Sequence, residues 1–138
     1  MSEEHRIEIL IIGAGGIGGN LAERICRAVA FTEPHQISLT LMDGDCVEER
    51  NLPHQPFAIG DLGKPKVEAI VHNLRKIGIT DDRGVHFIPV ANDFSETTDL
   101  SEYDLVVVAV DRETPRRIVR ENAERWLDLR ATGDGFLM

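Results

Sequence analysis

The stretch from Glu8 to Gly19, EILIIGAGGIGG, decides the fold. Residues 9–12 form an unbroken apolar run, and Gly13, Gly15 and Gly18 follow it in the spacing GxGxxG. A short apolar run that ends in glycines and then resumes with helical periodicity reads as strand, tight turn and helix. In such a unit the first glycine makes the turn, the second lets a phosphate approach the backbone, and the third lets the helix pack closely on the strand. The first amides of the helix then face an anion. Gly16 adds a fourth glycine, giving GxGGxG. Gly13, Gly15, Gly16 and Gly18 are therefore candidate nucleotide-binding residues. The turn alone leaves open whether a dinucleotide or a nucleoside triphosphate is held.

Working outward, the pattern predicts a strand over 8–12 and a helix from Gly16 to about Phe31, with Ile17, Leu21, Ile25 and Ala28 on one face. The segment QISLTLMD (36–43) reads as a second strand ending at Asp43. Residues 44–63 read as a long loop with a short turn of helix, and Lys64 to Ile77 as a helix with Val67, Ile70, Val71 and Leu74 as its buried stripe. GVHFIPV and DLVVVAV read as strands, TPRRIVRENAER as a helix with its proline near the first position, and WLDLRA as a fifth strand. This alternation predicts an α/β fold: a Rossmann-like, doubly wound, mostly parallel sheet of about five strands with helices on both faces. Ligands of such sheets sit at the carboxyl ends of the strands. Gly13, Asp43 and Asp111 each follow a strand end and are expected on one rim. Asp43 would accept hydrogen bonds from ribose hydroxyls, a role suited to NAD or ATP, although DGD also makes a plausible turn. Asp111 also suits an N-cap for the helix at Thr114.

The 138 residues predict one domain, 1–138, with 15 basic and 24 acidic side chains and a net charge of -9. That balance opposes broad docking to nucleic acid or an anionic membrane. Cys26 and Cys46 form no CxxC pair, so neither a disulfide framework nor a zinc ribbon is expected, and a reduced, cytoplasmic setting fits. The apolar runs fall well short of the ~20 residues of a membrane helix, and MSEEHR lacks the pattern of a signal peptide. His5, His35, His72 and His86 have no ligand-like spacing. Arg24, Arg27 and the arginines from Arg116 to Arg125 read as solvated helix faces.

The stretch MDGDCVEERNLPHQPFAIGDLGKPKVEAI narrows the choice. It resembles the ThiF, MoeB and HesA family, the E1-like enzymes that adenylate ubiquitin-like and sulfur-carrier proteins. The matching positions are Asp43 at the end of strand two, Asn51 with Leu52 and Gln55 in an NLxRQ box, and Gly63, Pro65 and Lys66 in a GxPK segment. DLVVVAVDRETPRRIVRENA is similar to a later family segment and puts Asp111 at its magnesium-linked aspartate, with Arg116 or Arg117 near its arginine. The resemblance, which runs from about Ile9 to Gly135, implies ATP and Mg2+ as cofactors and a ubiquitin-like or sulfur-carrier protein with a C-terminal glycine as partner. A homodimer is implied in the same way. It further implies that Asn51, His54, Lys66 and Asp111 are catalytic. Lys66 would meet the phosphates, Asp111 would hold magnesium, and Asn51 would orient the phosphate chain or ribose.

Two departures from the family pattern stand out. The family arginine of the NLxRQ box is replaced by His54, which cannot form a planar bidentate fork. The later strands, catalytic cysteine and paired CxxC ligands of the family are also absent, which suggests the N-terminal part of the full fold or a minimal member. Cys46 reads as structural rather than as a thioester nucleophile. Two rival readings remain: an NAD(P)-binding oxidoreductase domain, and a non-catalytic, truncated E1-like binding module.

Overall fold

Five strands make the central sheet: β1 (Ile7–Ile12), β2 (Ile37–Met42), β3 (Val85–Val90), β4 (Leu105–Val108) and β5 (Trp126–Asp128). The structure, a computed structural model, describes residues 6–30, 36–132 and 135–137. The strand order is β3-β2-β1-β4-β5, and every neighbouring pair in it is parallel. Three helices among the described residues, α1 (Gly16–Ala30), α2 (Lys66–Lys76) and α3 (Glu113–Asn122), connect β1 to β2, β2 to β3 and β4 to β5, and a loop joins β3 to β4. The expected doubly wound sheet is therefore observed. Its chain order reverses direction at β1 and β4, where loops diverge and leave a crevice.

Alternation along β1 separates two cores. Ile9 and Ile11 join the larger cluster with Ala22 and Cys26 of α1 and Val67, Ile70, Val71 and Leu74 of α2. Leu10 and Ile12 point the other way, into a smaller cluster with Met42, Val106, Val108 and Val119 of α3. Because β1 is covered on both faces, its sequence is an apolar run rather than an alternating one. Burial of each such side chain stabilises by about 1.5–3 kcal/mol.

The α2 stripe matches expectation, whereas the buried face of α1 is rotated from the predicted one. Gly18, Gly19, Ala22, Cys26 and Ala30 are buried, Leu21 and Ile25 pack at the margin, and Ala28 is exposed. Small side chains face the sheet because the helix lies close to it. The margin is then filled by larger ones.

Helix α3 begins at Glu113, one residue before the expected start, and places Pro115 at its third position, where a missing amide hydrogen costs no intrahelical bond. Arg112 occupies the N-cap without a side-chain cap bond, so the expected capping role of Asp111 is not observed. The fifth strand is also shorter than WLDLRA. Leu129 donates its amide hydrogen to the Val108 carbonyl at 2.9 Å, after which β6 (Arg130–Thr132) turns to pair antiparallel with β7 (Gly135–Leu137).

The long loop after β2 contains two 3-10 turns, Glu49–Asn51 and Ile59–Asp61. Each is closed by its last side chain. Asn51 Oδ1 accepts the Glu48 amide hydrogen at 2.8 Å, and Asp61 Oδ2 accepts that of Ala58 at 2.9 Å. These bonds explain why two polar side chains are buried here. Val47 and Phe57 anchor the loop in the larger core. Pro89 lies in the edge strand β3, and Trp126 and Leu127 are exposed on the opposite edge strand, β5. Among the described residues, no helix is long and apolar enough to cross a membrane. The readings made for His5, His35 and the helix end at Phe31 fall outside the described residues.

Candidate functional site

A cleft of about 1010 Å³ opens at the carboxyl ends of β1, β2 and β4. Gly13, Gly15, Asp43, Lys66 and Asp111 all line it, so the three strand-end residues expected on one rim do converge. Their positions follow from local backbone requirements. Gly13 leaves β1 with φ +103°, a conformation that L side chains rarely adopt, and a Cβ there would lie 2.8 Å from the Ala109 carbonyl oxygen. Gly18 lies behind the turn, where a Cβ would overlap the Gly13 carbonyl. Gly16 begins α1 beside the backbone of His54.

Asp43 ties the glycine turn to the end of β2. Its Oδ2 accepts the Ala14 amide hydrogen at 2.7 Å, and its Oδ1 accepts that of Asp45 at 2.8 Å. The Gly13 amide is taken by the Met42 carbonyl at 2.9 Å. The first turn of a helix leaves amides without intrahelical partners. Of the glycine turn here, Gly13 and Gly15 line the cleft, and the His54 carbonyl abuts Gly16.

Lys66 opens α2 with its side chain only 8% exposed, and its Nζ stands 4.0 Å from Asp45. Its backbone amide donates to the Asp45 carbonyl at 3.0 Å, which fixes the first turn of the helix against the loop after β2. Asp111 is fully exposed at the opposite wall and accepts a hydrogen bond from Arg116 at 3.1 Å.

Asn51 and His54 do not line the cleft. Asn51 is buried and organises its turn: its carbonyl accepts the Gln55 amide at 2.9 Å while its side chain closes the turn behind it. His54 is exposed. Gln55, from the same box, lays its side chain over Gly15, and its Oε1 is buried without a hydrogen-bond partner among the described residues. Cys46 is exposed and bridges to Pro65, outside the cleft lining.

Sequence reasoning missed part of the lining. Asp93 and Phe94, just after β3, stand in the cleft wall; Arg50 and Arg112, the two arginines that the sequence offers as substitutes for the charge absent at His54, line it as well. A strand end predicted at Val90 was the available signal for the first two. Arg116 is a correction of a different kind, since it is buried rather than on a solvated helix face. Its guanidinium lies within 3.4 Å of Asp128 and 3.2 Å of the Val110 carbonyl.

Formally the cleft carries five carboxylates, Asp43, Asp45, Asp93, Asp111 and Glu113, against the cations Arg50, Lys66 and Arg112. An excess of negative charge repels a bare triphosphate and suits one that arrives with a divalent cation. No group of three metal-ligating side chains occurs among the described residues. A magnesium ion bound through one carboxylate and substrate phosphates needs no such cage. The donor set therefore fits nucleotide-borne Mg2+ at Asp111.

The pattern of the ThiF family matches residues 3–125, which span the glycine turn, the cleft loops and α3. The chain belongs to the ThiF family. Within it, the chain is 31% identical over 116 residues to the adenylyltransferase and sulfurtransferase uba4 of Pyricularia oryzae, which covers 82% of this chain and 22% of that protein. E. coli MccB is similar in structure, with a TM-score of 0.68 and 26% identity over 89% of this chain and 35% of that one. E. coli TcdA, a tRNA N6-threonylcarbamoyladenosine dehydratase solved in complex with ATP, has a TM-score of 0.73 at 22% identity over 92% of this chain and 52% of that one. The chain spans about a fifth of the length of the curated relatives it matches.

Proposed function

We propose that this domain binds ATP with Mg2+ and adenylates the C-terminal glycine carboxylate of a ubiquitin-like or sulfur-carrier protein. The observation that carries the reading is the convergence of Gly13, Gly15, Asp43, Lys66 and Asp111 on one cleft at the switch point of a ThiF-family sheet. Hydride transfer would use the glycine turn and Asp43 alone. It gives no role to Lys66, whose ammonium is buried in the cleft wall.

In the reaction, a carboxylate oxygen of the carrier forms a bond to the α-phosphorus of ATP. The bond from that phosphorus to the bridging oxygen of the β-phosphate breaks, and pyrophosphate leaves. Charge grows on phosphoryl oxygens, so the domain's task is positioning and electrostatic stabilisation. First-turn amides of α1 would bind the phosphates, and Asp43 would hold the ribose with the acceptor capacity left after its two backbone bonds. Lys66 would place a nearly desolvated positive charge beside the triphosphate. Magnesium at Asp111 would neutralise phosphate charge. Asn51 acts on the site by shaping the loop that carries Gln55 over the glycine turn.

The second reading, a non-catalytic binding module, is favoured by one observation: His54 stands at the family's arginine position, exposed and outside the cleft lining. Exchange of labelled pyrophosphate into ATP separates the two. With candidate carrier proteins ending in glycine, carrier-dependent exchange is expected. ATP binding with no exchange under any carrier would leave the binding-module reading. We further propose a cytoplasmic homodimer for the whole protein, testable by sedimentation.

A further inference from the structure

We propose that Arg116 is a positioning residue: anchored by Asp128 on β5, it fixes the carboxylate of Asp111 at the cleft mouth in the orientation that a nucleotide-borne cation requires. The inference rests on the nucleotide reading above and adds a residue that does not itself line the cleft.

The geometry is specific. The Asp111 side chain is fully exposed, whereas that of Arg116 is only 8% exposed. Each nitrogen of the guanidinium lies within 4 Å of an oxygen, but only one terminal nitrogen is hydrogen-bonded among the described residues; Nε and Asp128 Oδ1 are both buried and pair by charge without a hydrogen bond between them. One terminal nitrogen donates to Asp111 Oδ1 at 3.1 Å and to the Val110 carbonyl at 3.2 Å. The other terminal nitrogen lies 3.9 Å from Glu113, and Nε lies 3.4 Å from Asp128. These partners come from the loop after β4, the first turn of α3, and β5. Two hydrogen bonds from one terminal nitrogen, with carboxylates of Glu113 and Asp128 paired by charge alone to the other two, restrict how far the planar fork can rotate. An aspartate alone on an exposed loop would sample its rotamers. With Oδ1 bound to a fixed guanidinium, it is held in one.

The rest of α3 gives the contrast. Arg117 and Arg120 remain exposed on the same helix, so burial of Arg116 is not a general property of its arginines. Arg120 also pairs with Glu113 at 3.5 Å. Three carboxylates thus meet two guanidiniums, and the cluster keeps an excess of negative charge for a cation. Partners of this kind, one step removed from a metal ligand, commonly set its orientation.

The test is calorimetric, on the whole chain. The Kd for ATP is measured in Mg2+ and again in EDTA, and the ratio of the two is compared among wild type, Arg116→Lys, Asp128→Asn, Asp111→Ala and the Arg116→Lys/Asp111→Ala double variant. Melting curves establish that each variant is folded. Arg116→Lys and Asp128→Asn are each expected to reduce the magnesium-dependent gain by about 10-fold. Arg116→Lys should reduce it no further once Asp111 is alanine, because Arg116 acts through that carboxylate. A folded variant with the wild-type ratio overturns the inference, as does an Arg116→Lys effect of equal size with and without Asp111. If Arg116→Lys does not fold, the isosteric Asp128→Asn decides alone. Wild-type binding of ATP without magnesium dependence overturns this inference and leaves nucleotide binding standing. No ATP binding by the wild type overturns the functional reading, and this inference with it.

Discussion

Asp43 accepts the amide hydrogen of Ala14 at 2.7 Å, which joins the end of β2 to the glycine turn that follows β1. The same carboxylate proposed to hold ribose is thus a structural brace for the phosphate-binding turn. Its removal should be visible without any ligand. Asp43→Ala is expected to lower unfolding free energy by about 1.5–3 kcal/mol, the usual size for a hydrogen bond to a charged group. Urea denaturation followed by circular dichroism measures this, and an unchanged midpoint would contradict the brace.

Gly18 and Gly60 make a matched pair for alanine substitution. A Cβ at Gly18 would overlap the Gly13 carbonyl, while one at Gly60 meets nothing within 4 Å. Gly18→Ala must displace the turn and should cost about 1–3 kcal/mol together with ATP affinity. Gly60→Ala should be neutral or stabilise by a few tenths of a kcal/mol, since alanine restricts the unfolded chain. Thermal melting of the two variants side by side tests the contrast.

Lys66→Met separates stability from binding. The ammonium is buried with Asp45 no closer than 4.0 Å, so a nearly isosteric apolar side chain relieves a desolvated charge. Stability should hold or rise, whereas ATP affinity should fall by about tenfold or more, in line with a lost charged contact of roughly 1.5–3 kcal/mol. Equal loss of both would assign Lys66 a purely structural role.

His54→Arg is expected to raise carrier-dependent pyrophosphate exchange by roughly tenfold or more by supplying a permanently charged donor fork beside the glycine turn. His54 is exposed and its backbone abuts Gly16, so the longer side chain has room and a short reach. Unchanged exchange would mean that the loop directs this position away from the triphosphate.

The two cysteines should differ sharply towards thiol reagents. Burial, with Glu23 nearby, pushes the Cys26 thiol up to about 12, while Cys46 is exposed. Thiolate is the reactive form, so at pH 8 Cys26 is almost wholly unreactive. Raising the pH towards 12 increases its reactivity, and unfolding abolishes the protection. One equivalent of Ellman's reagent should react with the native protein, and a second only in denaturant.

Much of the sheet was legible because β1 and β4 are apolar on both faces and the glycine spacing names the turn between β1 and α1. The rim followed, since Gly13, Asp43 and Asp111 each sit where a parallel strand ends. The face of α1 was misread because hydropathy favours Leu21 and Ile25, while close approach to the sheet favours Gly18, Ala22 and Cys26. Arg116 escaped for a related reason. Helical periodicity sees charge on one element, and the carboxylate that buries this arginine comes from β5, a different element. Asp93 and Phe94 lie past the end of β3 and form no recognisable motif.

The two borders of the sheet are chemically unequal. Both edges expose apolar side chains, Ile88 on β3 and Trp126 and Leu127 on β5, but Pro89 removes a donor from β3 whereas β5 contains no proline. Growth of this sheet by a further strand, from the same polypeptide or another, is thereby polarised. One side is blunted against templating by its proline, and the other keeps an amide hydrogen at every residue of β5. Unwanted self-association should nucleate at Trp126, so a lysine introduced at Leu127 is the natural place to begin improving solubility.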